Sequence, residues 1–489
     1  MSKNTTKRSL LASVFALVLC VAMLVGSTFA WFTDTASTGV NKIVSGNLKV
    51  DIIGADSDSH IEKLNFTKAA MTDAEAGAEI LWEPGCRYLT EGFRIANKGN
   101  LALKWKAQVN TGTTVANEGN FDLLDVIDFY LVTKAADGTE TETALDVFTG
   151  NLKKTETSDV YYIKGVMQTT AGNDYQGLTL DGISITVVAT QDTVENDSFN
   201  NQYDKDAEYP ILVTSGDQLQ ATVNNATAPV NIVLANSITT NNFVIPADKD
   251  VTLDLNGRTV TNAGSHTILN KGHLTLTDSS TDKSGQIISL KGNTAALRNG
   301  DNAVCVVEGG TISRDGANGN TWHVVENFGK MIFNGGKVVL KNGNGFAITN
   351  GWNYFDPGAS TTHAVMEINA LELDTDSSGI KNCRYGDLTV NDVTVTSTGY
   401  WALSNDYLGT AVINGGTLTS NSFKAVSNGA AMTVNGGTFN GTEGLFVQSY
   451  ATSTVLNGGT FANMNVAALS SYVGTGHTAQ QNGTSVIIK

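Results

Sequence analysis

The stretch KAVSNGAAMTVNGGTF, residues 424–439, decides the fold, because LFVQSYATSTVLNGGTF at 445–461 repeats it. Aligned on the Asn before the glycine pair, the copies fall at Asn334, Asn369, Asn391, Asn414, Asn435 and Asn457, with Glu308 in the equivalent place of an earlier copy. From Asn369 onward the intervals are 22, 23, 21 and 22 residues, a period that signals stacked structural units. A second register ends at Asn299, Asn327, Asn350, Asn382, Asn405 and Asn428, and LFVQS supplies Ser449. Two positions before each stands an apolar residue: Leu297, Val325, Ile348, Ile380, Leu403, Val426 and Val447.

Around the first register the pattern is that of strands. Val307, Phe333, Ile368, Val390, Ile413, Val434 and Leu456 come one residue before it, and Ile312, Val338, Leu373, Val395, Leu418, Phe439 and Phe461 four after. Thr311, Lys337, Glu372, Thr394, Thr417, Thr438 and Thr460 lie one residue nearer and so on the opposite, outward face. Short strands, bends at fixed intervals and a coil of about 22 residues predict a right-handed parallel β-helix. Successive coils hydrogen-bond at about 4.8 Å, so an Asn at a bend stacks on its equivalents as an amide ladder, and the glycines permit the bend geometry. Ahead of the repeats, Ser215 or Asp217 offers an N-cap for a short amphipathic helix over 214–226, suited to closing an exposed core end.

At 489 residues the chain is long enough for two domains after a targeting segment. The start, MSKNTTKRSLLASVFALVLCVAMLVGSTFA, has a basic region, an apolar stretch and a small residue at Ala30, the layout of a cleaved export signal over 1–30. The formal charge is −16, and −19 without Lys3, Lys7 and Arg8 of the leader, which opposes partnership with nucleic acid. The remaining cysteines, Cys86, Cys305 and Cys383, are too few and too scattered for a disulfide framework and read as small apolar residues.

The run GSTFAWFTDT through VSGNLKVDI, with EPGCRYLTEGFRIANKGNLALKWKAQV (83–109) and ISITVVATQDTVENDSFNNQYD (183–204), resembles exported proteins of the TasA and camelysin family. The resemblance implies processing by a dedicated signal peptidase, a jelly-roll-like β-sandwich over 31–206, and a role in surface fibres or biofilm matrix. It also implies that the mature N-terminal stretch pairs with a neighbouring subunit's sheet, so self-association or other fibre subunits are the expected partners. Independently, FRIA, LALKWKAQV, VIDFYLV and ISITVVAT read as short strands between turn signals. The camelysin metalloprotease activity is not carried over, since none of the six histidines forms an HExxH pair. Beyond a linker and helical cap at 207–226, residues 227–489 resemble the pectate-lyase-like superfamily of exported β-helix proteins, a likeness of fold that does not set an activity.

One bend is longer than the rest. Asn350 and Asn369 are 19 residues apart, where corresponding gaps are 7 to 9, and the insertion reads GWNYFDPGASTTH. It brings Trp352, Tyr354, Phe355 and His363 to the bend, where later coils place Arg384 with Tyr385 and Asp406 with Tyr407. Aromatic faces stack on sugar rings, and Arg and Asp bind hydroxyls or an acidic sugar, so the bend either contacts a glycan or cell-wall polymer or folds down to cover its own apolar side chains. Glu372, Asp374 and Asp376 alternate outward on one strand, as solvated charges or as weak oxygen ligands for a structural calcium. No catalytic residue or cofactor is assigned. The sequence therefore predicts an all-β, secreted, extracellular structural or adhesive protein. A polysaccharide lyase or glycoside hydrolase is the alternative: hydrolysis would need two carboxylates flanking the bond, and β-elimination a basic residue near a cation site.

Overall fold

The computed structural model describes residues 48–61, 64–67, 82–110, 113–114, 121–145, 147–181, 184–192, 209–315, 322–352 and 362–489. The expected export signal over 1–30 with Ala30, the stretch 31–47 that follows it, and Tyr354 and Phe355 lie outside the described residues. The chain is nearly all β: an antiparallel region followed by a parallel solenoid of about ten turns with about 23 residues per turn.

The N-terminal region has two principal antiparallel sheets. In one, Tyr161–Met167 runs between Ile127–Lys134 and the strands Arg87–Thr90 and Phe93–Asn97, with Val50–Gly54 beyond the latter. In the other, Leu103–Asn110 lies between Ser184–Gln191 and Phe148–Leu152. Alternation supplies the core: Phe93, Ile95, Leu131 and Ile163 of one sheet meet Leu103, Trp105, Ala107 and Leu152 of the other. Trp105 is 1% exposed and packs edge-on to Phe148 at 5.6 Å. Gly150 opposite it leaves the room, for a Cβ there would sit 2.6 Å from the indole ring. Val188 packs with Leu212, Val233 and Ala235, which joins this region to the start of the solenoid.

Each solenoid coil contributes one strand to each of three parallel sheets. The first contains the strands ending near Val307, Phe333, Ile368, Val390, Ile413 and Val434, the second those beginning at Thr311, Lys337, Glu372, Thr394, Thr417 and Thr438, and the third those ending at Asn299, Asn327, Asn350, Asn382, Asn405 and Asn428. The outward row pairs in the expected register, Thr311 with Lys337, Glu372, Thr394, Thr417, Thr438 and Thr460. The inward residues form one continuous core along the solenoid, each buried side chain stabilising it by about 1.5–3 kcal/mol. The first full coil is Val230–Leu234, Ile238–Thr240 and Phe243–Ile245, and Ile211–Val213 pairs parallel to Val230–Leu234 ahead of it.

Both Asn registers are ladders, of opposite polarity. Inside, beginning with Asn270, each Nδ2 donates to the Oδ1 of the next coil through Asn299, Asn327, Asn350, Asn382 and Asn405 to Asn428, at 2.7–2.9 Å. At the corner between the first and second sheets each Nδ2 donates to the preceding coil, from Asn457 back through Asn435, Asn414, Asn391, Asn369 and Asn334 to Glu308. The inner ladder does not continue to Ser449. Val447 stacks on Asn428 and Leu445 on Val426, and Asn428 donates instead to the Ser453 carbonyl and Thr454 Oγ1.

The ends are closed. Helix α1 (Gly216–Asn225), N-capped by Ser215, whose hydroxyl accepts from Gln218 N at 3.2 Å, buries Leu219 and Val223 at one end. At the other, helix α2 (Val466–Leu469) and a hairpin of Ala479–Asn482 with Ser485–Ile488 follow the last coil, and Ser485–Ile488 pairs antiparallel to Gly459–Phe461.

Candidate functional site

The candidate site is the outer face of the third sheet with the corner that leads from it to the first. Between Asn327 and Asn299 on one side and Asn382 on the other, the outward register runs Arg298, Glu326, Thr349, Lys381. Glu326 and Thr349 are buried although they face outward, at 4% and 5% exposure. Arg298 Nη1 donates to Glu326 Oε2 at 3.0 Å, and its guanidinium lies 4.7 Å over the ring of Phe328. Phe328 packs on Trp352 with centroids 4.5 Å apart.

Corner residues continue the surface. Trp352 N donates to the Arg384 carbonyl at 3.0 Å, so the inserted loop begins as a bridge to the next coil. Arg384 lies over the Tyr385 ring and donates to its hydroxyl at 3.1 Å. Tyr385 has φ +59°, the left-handed turn that carries its ring outward beside His363, 5.6 Å away. His363 Nδ1 donates to Asp387 at 2.8 Å, and Asp387 also accepts from the Thr410 hydroxyl. One coil on, Asp406 is paired with Lys381 at 3.2 Å and accepts from Tyr407 N. Tyr407 is exposed, and so is Tyr450, whose ring covers Gly429 of the intervening coil. Trp352, Tyr385, Tyr407 and Tyr450 thus line one corner, the first three on coils a strand spacing of about 4.8 Å apart.

Of the sequence-derived residues, the fold places Trp352, His363, Arg384, Tyr385, Asp406 and Tyr407 along this corner, linked in the pairs just given. The three carboxylates of the calcium reading are each engaged elsewhere. Glu372 pairs with Lys337, Asp374 with Lys341 at 2.8 Å, and Asp376 accepts from the backbone of Asn342 and Gly343. Among the described residues no group of three His, Cys, Asp or Glu converges as a metal site.

Sequence reasoning missed Phe328, Arg298, Glu326 and Tyr450, so a second arginine stands near the aromatic residues beside Arg384. It also missed Arg314. In Thr311–Asp315 the inward residue Ile312 is followed two positions later by Arg314, so period two places an arginine inward. Its column neighbours are Ser289, Leu340, Thr375, Ser397 and Ser420. Arg314 is 1% exposed, and Nη1 donates to the His323 carbonyl at 3.2 Å. A long charged side chain in an inward column of small hydroxyl residues and one Leu was the available signal.

Burial governs the electrostatics here. It pushes the Glu326 carboxyl up, against the Arg298 charge, and the Arg314 guanidinium down to about 10. Burial and the nearby arginines bring His266 down to about 4, and burial likewise takes His323 to about 4. Both imidazoles are neutral at pH 7, His266 accepting from Ala295 N at 2.9 Å and His323 donating to the Phe346 carbonyl at 3.2 Å.

No family model matches the chain, and no curated protein matches it. Among solved structures, the catalytic domain of a GH87 alpha-1,3-glucanase variant in complex with tetrasaccharides aligns over 84% of this chain and 96% of that one, at 11% identity and a TM-score of 0.16. An overlap of that quality carries no inference about activity.

Proposed function

We propose that this is an exported protein of the cell surface or biofilm matrix whose solenoid binds glycan along the corner between its third and first sheets. The observation that carries the reading is the row Trp352, Tyr385, Tyr407 and Tyr450. Trp352, Tyr385 and Tyr407 stand on successive coils and Tyr450 two coils further on, so the corner offers aromatic faces to a chain of sugar rings laid along it, and polar partners flank them. In the manner the TasA resemblance implies, the N-terminal sandwich joins neighbouring subunits by strand addition and the solenoid projects from the assembly. A binding role is preferred to hydrolysis because the nearby carboxylates are already engaged: Asp387 by His363 and Thr410, Asp406 by Lys381, and Glu326 by Arg298.

The test is a glycan array probed with the full exported chain and with a Tyr385→Ala, Tyr407→Ala, Tyr450→Ala triple variant. Tyr407 and Tyr450 are exposed and Tyr385 is half-buried, so the variant's thermal midpoint is measured alongside, and bound polysaccharide is expected to be lost with the fold intact. Array signals unchanged by the triple replacement refute this location. No saccharide bound by either protein refutes the glycan reading.

A further inference from the structure

Arg314 holds a feature that the glycan corner does not use. Its guanidinium is buried and protonated at neutral pH, yet only Nη1 has a partner, the His323 carbonyl. Nε and Nη2 are buried with no hydrogen bond. These two N–H groups point in parallel, the side-on fork that takes two oxygens of a carboxylate, sulfate or phosphate at once. The acidic group that acts on its charge, Glu326, is committed to Arg298 at 3.0 Å, and burial favours its neutral form. Leaving such donors unmet inside a protein costs far more than pairing them, and an orphaned buried cation calls for an acceptor. The setting is also electrically unusual: two arginines share one carboxyl on a chain whose net charge is −16.

We propose that the Nε and Nη2 fork of Arg314 seats one oxyanion at the junction of the second and third solenoid sheets, beside Glu326 and the half-buried rings of Trp322 and His323. Backbone geometry prepares the seat. The strand Thr311–Asp315 fixes the root of the arginine in the wall, and the bond from Nη1 to His323 fixes the plane of the guanidinium. The oxyanion arrives either as a free ion or as an acidic substituent of the glycan. Only the second source rests on the glycan reading.

The full chain is titrated with sodium sulfate and, at equal ionic strength, with sodium chloride, following the thermal midpoint and the heat of binding. Sulfate is expected to raise the midpoint where chloride does not, and Arg314→Lys, which keeps the charge but lacks the fork, to abolish the difference. Arg314→Met gives the same answer where it folds. Crystals soaked in selenate are expected to show an anomalous peak within hydrogen-bond distance of Nε and Nη2. Equal responses to sulfate and chloride, or an undiminished sulfate response in Arg314→Lys, overturn the proposal. For the source, hexuronate and sulfated oligosaccharides are compared with neutral ones of equal length. Binding of the acidic set weakened about tenfold or more by Arg314→Lys, and competed by sulfate, identifies the glycan-borne group. A sulfate response without acidic preference identifies a free ion. If sulfate binds and no saccharide does, the seat stands and the glycan reading falls.

Discussion

Replacing Asn382 by Ala tests whether the inner amide ladder holds the coils together. Asn382 is 0% exposed, and its Nδ2 lies within hydrogen-bond distance of Asn405 Oδ1, the Gly386 carbonyl and the Thr410 carbonyl, at 2.8–2.9 Å. Its Oδ1 accepts from Asn350 at 2.9 Å. After truncation Asn350 Nδ2 retains the Ala364 and Asp387 carbonyls, at 3.3 and 3.2 Å. Asn405 Oδ1 loses its ladder donor in a place water does not reach. One stranded buried acceptor costs about 1–3 kcal/mol, and the lost bonds add to it, so a destabilisation of about 3 kcal/mol is expected. Asn414→Ala is the internal control. It breaks the same kind of amide-to-amide contact, at 2.7 and 2.8 Å, but in the exposed ladder, where water replaces the partner. Its cost is expected near 0.5 kcal/mol. Urea unfolding gives the two midpoints, and hydrogen exchange around residues 378–413 shows whether the opening is local. Equal effects of the two variants would refute the argument that burial, and not the repeat of the motif, gives the inner ladder its strength.

Three further outcomes follow from the same geometry. The folded pKa values of His266 and His323, about 4, lie below the ordinary value of 6.5, so the unfolded chain binds more protons between those limits. Stability is therefore complete above pH 6.5 and falls as pH drops toward 4, and His323→Asn, which keeps a donor for Phe346, is expected to flatten that slope in unfolding curves. Burial pushes the Cys305 and Cys383 thiols up to about 12, so native alkylation read by mass spectrometry is expected at half-buried Cys86 well before either of them. Gly416 has φ +95°, and an added Cβ would sit 2.6 Å from the Val393 carbonyl, so Gly416→Ala is expected to destabilise by about 1–3 kcal/mol or more in thermal unfolding.

Much of the solenoid was legible because its two registers obey a repeat that physics enforces twice. Inward residues must be apolar, and each Asn needs an Asn one coil away. The final coil escaped for a related reason. A slip of two residues leaves every side chain on the same face, so LFVQS reads equally well with its end at Ser449 or with Val447 on Asn428. The spacing alone could not choose; the ladder chose, by ending on Ser453 and Thr454. The aromatic corner was legible from the long bend, since Trp352, Tyr385 and Tyr407 all follow the same Asn. Arg298 and Glu326 were not, because an outward charge on a strand ordinarily meets solvent, and nothing local marks these as covered. Arg314 could have been found: an arginine in a column of Ser, Thr and Leu breaks the pattern around it.

The closed ends set the solenoid's place in any larger assembly. A stack of parallel strands without terminal cover would template another stack, and its length would be indefinite. Here α1 occupies one mouth and an antiparallel strand seals the other, reversing direction where a further parallel rung would have to dock. The column is consequently closed to a further parallel rung at either mouth. In the assembly proposed above, growth runs through the N-terminal region and the rod is cargo of fixed length.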